Sequence, residues 1–232
     1  MKSKFYTFLT IVLVLTSLNI NAQNFNIGDL TDFYTEIGRS NSSKHRQQTY
    51  EDIAGSPYLE DDFIEGTIIR NDGTTYEKIP LRYNGYDDHI EFRDKNGLTL
   101  FLDNPEEFKE IKIEGKKFIY YNLVNSKQKV QGYFELLEGS KTQLLKKYSI
   151  KIKDPEPAKA YRAPTPASFV SKPICYFILQ NENQLFEIRN DKNIIELLND
   201  KNNEMQRFIK KNKLKVKKEE DLKQIVAYYN SL

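Results

Sequence analysis

Four acidic side chains stand close together at Glu60, Asp61, Asp62 and Glu65. Carboxylates at this density are the raw material of two chemistries. A pair held apart across a cleft hydrolyses glycosides, one acting as acid and the other as base or nucleophile. The same hard oxygens bind Ca²⁺, but the Asp-x-Asp-x-Asp-Gly order of a calcium loop is missing from this stretch. Adjacent carboxylates in a turn more often face solvent, and that is the reading adopted for this cluster.

The two histidines are His45 and His89, and neither stands at metal-ligand spacing from another histidine or a cysteine. His89 closes the triplet Asp87-Asp88-His89. Consecutive strand residues point to opposite faces, so Asp88 and His89 would not share a pocket on a regular strand. The triplet reads as a solvated strand entrance. The one cysteine, Cys175, lies in the apolar run Ile174 to Leu179 and is expected to be a buried thiol, with an intermolecular disulfide or a reactive thiol as the alternative. No Gly-x-Ser-x-Gly elbow and no phosphate-binding glycine loop occurs. The residues therefore name no catalytic, metal or cofactor-binding set, no cofactor is expected, and the binding residues stay open.

Charge is distributed more suggestively. Residues 51–65 hold six acids and no base, whereas residues 207–218 hold seven Lys/Arg and no acid. The basic run reads as a solvated helix end, with docking on the acidic stretch of the same chain as one option. Its functional option is contact with anionic polysaccharide, lipid headgroups or nucleic acid. The aromatic content is 15 Tyr and 14 Phe with no Trp. Tyr76, Tyr83, Tyr86, Tyr120, Tyr121 and Tyr133 could stack on sugars, but tyrosine also fills ordinary strand positions. The missing Trp favours that second reading.

These groups must be carried by some framework, and alternation announces it. Ile90 and Phe92 alternate with Glu91 and Arg93, Ile111 and Ile113 with Lys112 and Glu114, Ile150 and Ile152 with Lys151 and Lys153. Period-2 patterning marks half-buried antiparallel strands. Turn signals separate them at Asn71-Asp72-Gly73, Asn84-Gly85, Asn96-Gly97, Glu114-Gly115 and Glu138-Gly139, the Asn-Gly pairs suiting tight type I′ hairpins. The expected fold is mainly β, an antiparallel meander forming a sandwich or barrel-like sheet over residues 58–153. A proline-rich linker follows at 154–168, then a β-hairpin and three short helices at 169–232, giving an α+β chain overall. The helices show apolar stripes at Ile194, Leu197 and Leu198, at Met205, Phe208 and Ile209, and at Leu222, Ile225, Val226 and Tyr229. Asp191 and Asp200 are the expected N-caps of the first two.

Met1 to Ala22 reads as a cleavable export signal, with Lys2 and Lys4 before an uncharged stretch Phe5 to Leu18 and a small residue at Ala22. The net charge of +2 belongs to those two lysines, so the mature part is balanced and has no global pull toward nucleic acid or an anionic membrane. Residues 23–57 form a polar N-terminal arm, with a short helix expected at Asp29 to Ile37. No transmembrane segment is expected after cleavage. The address is exported, with periplasm preferred over the cell surface or the medium.

Several segments are similar to recurring pieces of a secreted, uncharacterised protein family of Bacteroidota. They are the Asn19-Ile20-Asn21-Ala22-Gln23 signal end, Gly55-Ser56-Pro57-Tyr58-Leu59, Pro80 to Asn84 with Ile90-Glu91-Phe92, Gly132 to Leu137, and the tail from Phe208 to Leu232. The resemblance implies an envelope address and brings no activity and no functional residues. The leading expectation is a non-catalytic envelope protein that binds a macromolecule, an envelope protein or polysaccharide rather than nucleic acid, with the helical tail as a docking element. Its rivals are a hydrolase of envelope glycan or peptide using carboxylates, and a carrier of a small apolar ligand.

Overall fold

A computed structural model describes residues 27, 28, 33, 50, 53–124, 129–158, 161, 163–181 and 184–232. The segment read as an export signal, His45 and nearly all of the segment read as a helix at Asp29 to Ile37 lie outside the described residues. The fold is mainly β, dominated by one large antiparallel sheet, with three short helices at the end of the chain.

The strands are β1 (Ile27–Gly28), β2 (Ile64–Arg70), β3 (Thr75–Asn84), β4 (His89–Arg93), β5 (Thr99–Phe101), β6 (Phe108–Ile113), β7 (Lys116–Val124), β8 (Lys129–Gly139) and β9 (Gln143–Lys147). They continue with β10 (Ile150–Lys153), β11 (Ser168–Ser171), β12 (Cys175–Gln180) and β13 (Gln184–Ile188). The spatial order is β13-β12-β9-β8-β7-β6-β2-β3-β4-β5, and β1 runs parallel to β3 beside this path. The sheet is not a single meander. After β5 the chain passes through a 3-10 turn at Pro105–Glu107 and returns to the free edge of β2 as β6. Two meanders thus meet at the β2–β6 ladder. β5 and β13 remain as edges, so the sheet curls without closing into a barrel. The curl brings Tyr83 of β3 to 5.3 Å from Phe118 of β7, between ring centres.

The turn residues act in different ways. Glu114-Gly115 is a two-residue hairpin with positive φ at both positions (50° and 75°), as a type I′ turn requires. Asn84-Gly85 opens a longer loop instead, in which Asp88 takes the positive φ of 57°. The Asn84 side chain, fully buried, accepts from the N–H groups of Tyr86 and Asp87 at 3.0 Å each and so winds the loop by hydrogen bonding.

The largest apolar cluster fills the curl with Ile68, Tyr76, Ile79, Leu81, Ile90, Phe92 and Phe118. Phe33, from the N-terminal arm, is completely buried there against Tyr76 and Phe92. At its described positions, therefore, the arm is tied to the sheet, because Phe33 supplies apolar surface that the polar composition around it conceals.

Strands on either side of the proline-rich stretch share the sheet, since β12 pairs with β9. The intervening chain makes its own small ladder, β10 with β11. The helices are α1 (Asp191–Leu197), α2 (Asn202–Asn212) and α3 (Glu219–Ser231). Their stripes converge on one face of the sheet, where Ile194, Leu198, Met205, Leu222, Ile225 and Val226 pack on Leu144 and Ile178. Leu145 and Leu179, one residue on, turn to the opposite face with Phe134 and Leu185. Neither expected cap is used: Asn190, one residue earlier than Asp191, caps α1, its carboxamide oxygen accepting from Lys192 and Asn193, while α2 begins after Lys201 without a side-chain cap. Asp191 and Asp200 bind Val216 N–H and the Tyr229 hydroxyl instead. No helix among the described residues is long and apolar enough to cross a membrane.

Candidate functional site

Asp88, in the loop between β3 and β4, reaches across to β8 and β9. Its Oδ2 accepts from Lys147 Nζ at 2.6 Å, and its Oδ1 accepts from the Tyr83 hydroxyl at 2.7 Å and from Tyr133 N–H at 3.3 Å. Lys147 also donates to the Tyr133 carbonyl at 2.8 Å. Gly132 makes room for the carboxylate: it has φ +130°, and a Cβ there would lie 1.8 Å from Asp88 Oδ2. The expected solvated strand entrance is thus half-buried, because the positive φ of Asp88 turns its side chain over the sheet. Burial pushes the Lys147 ammonium below its ordinary pKa, against the opposing pull of Asp88.

A second network begins at Arg82, next to Tyr83 on β3. Arg82 lies 3.4 Å above the centre of the Tyr58 ring and donates to Glu91 at 2.6 Å. Glu91 also contacts His89 Nε2 at 3.2 Å and Asn84 Nδ2 at 3.4 Å. Burial drives the Glu91 carboxyl upward, but hydrogen bonds from His89 and Arg82 win and hold it below its ordinary value. Asp87 accepts from the Tyr50 hydroxyl. Most groups of the two networks satisfy one another, which is how polar residues persist in a packed sheet, but Arg82 Nε and the Tyr133 hydroxyl are buried without a hydrogen-bond partner among the described residues.

The phenols around these networks carry a pH signature. Burial first, then the nearby carboxylates, raise Tyr83, Tyr133 and Tyr148 above the ordinary value of 10. An unfolded chain loses these protons near pH 10 while the folded one keeps them, so stability falls as pH rises further. Each fully buried phenol removes about 1.4 kcal/mol per pH unit in that range. Lys147 works the other way, adding stability up to its ordinary 10.5. Because several phenols oppose one lysine, we expect cooperative unfolding above pH 10, followed by circular dichroism together with tyrosinate absorbance. Ionisation of all tyrosines with the strand signal intact would contradict this.

The remaining sequence candidates disperse. Glu60, Asp61, Asp62 and Glu65 are exposed. Glu60 and Asp62 border a slot of about 10 Å³, room for about one water. Asp61 contributes its backbone carbonyl to Arg82 at 2.8 Å. Among the described residues no group of three or more His, Cys, Asp or Glu side chains is arranged to hold a metal. Cys175 is a free, half-buried thiol near the end of the sheet rather than a core residue, because it opens β12. Of the six tyrosines, Tyr76, Tyr83 and Tyr133 belong to the core, Tyr120 and Tyr121 are half-buried, and Tyr86 alone is exposed.

A groove of about 430 Å³ opens at the junction of helices and sheet. Sequence reading missed it, since its walls come from four separate segments. Thr142, after the β8 strand, exchanges two hydrogen bonds with the Asn230 carboxamide (3.0 and 2.8 Å), fixing the end of α3. Gln180 donates to the Leu197 carbonyl at 3.1 Å, fixing the end of α1. Between these ties lie Lys141, Asn181, Asp200, Lys201 and Tyr229. Tyr229 donates to Asp200 at 2.8 Å, and burial with that hydrogen bond pushes its hydroxyl up to about 12. The volume falls in the range of about 300–1,000 Å³ typical of small-ligand sites. The Asn181 amide, the Lys141 and Lys201 ammonium groups and Tyr229 line it, a polar wall suited to a polar ligand. Comparison of the chain with protein-family models, curated proteins and solved structures finds no match.

Proposed function

We propose that this chain is an exported, non-catalytic binding protein of a bacterial envelope, and that the groove between α3, α1 and the β8–β9 turn receives a polar segment of an envelope polysaccharide. The groove's polar walls carry this reading: amides and the Tyr229 ring suit hydroxyl-rich, weakly polar faces, and Lys141 and Lys201 suit acidic sugars. The signal-like residues 1–22 and the resemblance to secreted Bacteroidota proteins support the address. The helical unit supports the role, because its apolar stripes are spent on the sheet and the groove therefore sits on a fixed frame.

The test is calorimetric titration of the mature protein with envelope polysaccharide fragments, beside the double variant Lys141→Ala/Lys201→Ala. Binding weakened at least tenfold in the variant supports the groove, and equal binding refutes it. Release of new reducing ends during incubation would overturn the non-catalytic assignment. Sequencing of the cell-derived protein should give Gln23 as its first residue; an intact Met1 would overturn the exported address.

A further inference from the structure

Arg207, Lys210, Lys211, Lys213, Lys215, Lys217 and Lys218 are all exposed. The first three share a face of α2 by their i, i+3, i+4 spacing, and the rest lie on the connection to α3. That connection is pinned. Leu214 and Val216 are buried between the lysines, Leu214 N–H donates to the Ile209 carbonyl at 3.0 Å, and Val216 N–H donates to Asp191 at 3.1 Å. Lys215 N–H donates to Asp221 at 2.9 Å. The cations therefore project from a fixed backbone.

Helix electrostatics accounts for part of this charge and not for the rest. Lys210 and Lys211 occupy the last turn of α2, where cations suit the dipole. Lys217 and Lys218 stand before α3, at the end where the dipole disfavours cations. Lys218 is the N-cap residue and makes no side-chain cap hydrogen bond, at a position where Ser, Thr, Asp or Asn would stabilise the helix. The acids facing the segment do not cancel it. Asp191 pairs with Lys215 at 3.3 Å, Asp221 is engaged by the Lys215 backbone, and Glu219 and Glu220 pair with Lys146 and Lys223. Glu204 lies in the first turn of α2. The acidic stretch at 51–65 is not the segment's ion-pair partner among the described residues; that partner is Asp191, close by in the fold.

We infer that this basic corner docks on an anionic phospholipid surface, independently of the groove. Three features favour headgroups over a polymer chain. The cations are six lysines to one arginine, hydrated point charges suited to diffuse negative charge rather than forked recognition. Phe208 is stacked on Tyr228 at 3.8 Å between ring centres, so it offers no platform to a sugar or base. The segment is a helix end and a turn rather than a groove that would track a strand. With Leu214 and Val216 turned inward, the contact is electrostatic and peripheral. Each basic residue held at such a surface raises affinity about fivefold, and salt removes the effect.

The experiment is co-sedimentation of the mature protein with vesicles of phosphatidylcholine, with or without phosphatidylglycerol, at low and high salt. The variant is Lys210→Glu/Lys211→Glu/Lys217→Glu, whose side chains are exposed and whose folding is checked by circular dichroism. Binding to the phosphatidylglycerol vesicles alone, lost in high salt and reduced at least tenfold in the variant, is the expected result. No binding to those vesicles, or equal binding by the variant, overturns the inference. Retention by an acidic polysaccharide such as alginate that exceeds vesicle binding and is lost in this same variant also overturns it, in favour of a polymer partner at the basic corner.

Discussion

Gly132→Ala is expected to cost about 3 kcal/mol or more. The new Cβ would overlap Asp88 Oδ2 at 1.8 Å and crowd Lys147 Nζ at 2.5 Å. The backbone strain of a positive φ is worth about 1–3 kcal/mol by itself. Displacing the carboxylate then leaves Lys147 largely buried without its counter-charge, and removing one partner of a buried pair costs about 3–5 kcal/mol. Gly73→Ala separates the contributions, because Gly73 also has a positive φ (91°) but nothing lies within 4 Å of its added Cβ. That control should lose only about 1–2 kcal/mol. In thermal melts the difference should reach several degrees, since about 1 kcal/mol shifts a protein of this size by 2–4 °C. In an Asp88→Ala background the main clash disappears, so the two substitutions should combine to less than their sum. Equal melting temperatures for Gly132→Ala and Gly73→Ala would remove the clamp from the account.

Leu144→Ala should loosen the other end of the sheet. Leu144 is fully buried and packs among Ile178, Ile194, Leu198, Met205, Leu222, Ile225 and Val226. It is the point where β9 meets all three helices' apolar cluster, so little can collapse into the space left behind. Leucine truncation at such sites costs about 2–5 kcal/mol through lost transfer energy and the residual cavity. Urea unfolding monitored by circular dichroism measures this. Leu98→Ala, with Leu98 40% exposed in the β4–β5 turn, should stay within about 0.5 kcal/mol. A shared midpoint for the two variants would mean that the helical unit does not rely on this contact.

Much of this architecture was legible in the residues. The Ile90/Phe92 and Ile111/Ile113 alternations mark strands whose apolar members are indeed buried. The stripe at Leu222, Ile225 and Val226 marks the helix face that meets the sheet. Alternation is a local property, and its reach ends there. It says which way a side chain points and not which strand lies alongside, so the return of β6 to β2 had no local sign. Glu91 shows the same boundary from the other side: it is polar in the alternation yet only 6% exposed, because Arg82, nine residues earlier, neutralises it. The Asp88–Lys147 pair spans 59 positions in sequence. One signal did point to it, a glycine inside a strand at Gly132, since such a glycine marks close approach by another group. The groove left no mark, because its walls are ordinary polar residues until the fold assembles them. Asn190 rather than Asp191 caps α1 for a smaller reason, two adjacent residues with equal cap preference.

The pairing of β12 with β9 gives the chain a redundancy. Residues 148–174 leave the large sheet at β9 and rejoin it at the neighbouring β12, with β10 and β11 pairing separately on the way, so the two segments are joined by peptide bonds and also by the five-residue register from Gln143↔Leu179 to Lys147↔Cys175. Tyr161, fully exposed within that excursion, marks where the covalent connection is most open to attack. A single nick there removes one connection and leaves the other. The proline-rich excursion is accordingly the stretch where insertion, deletion or relocation of the chain ends costs the native state least.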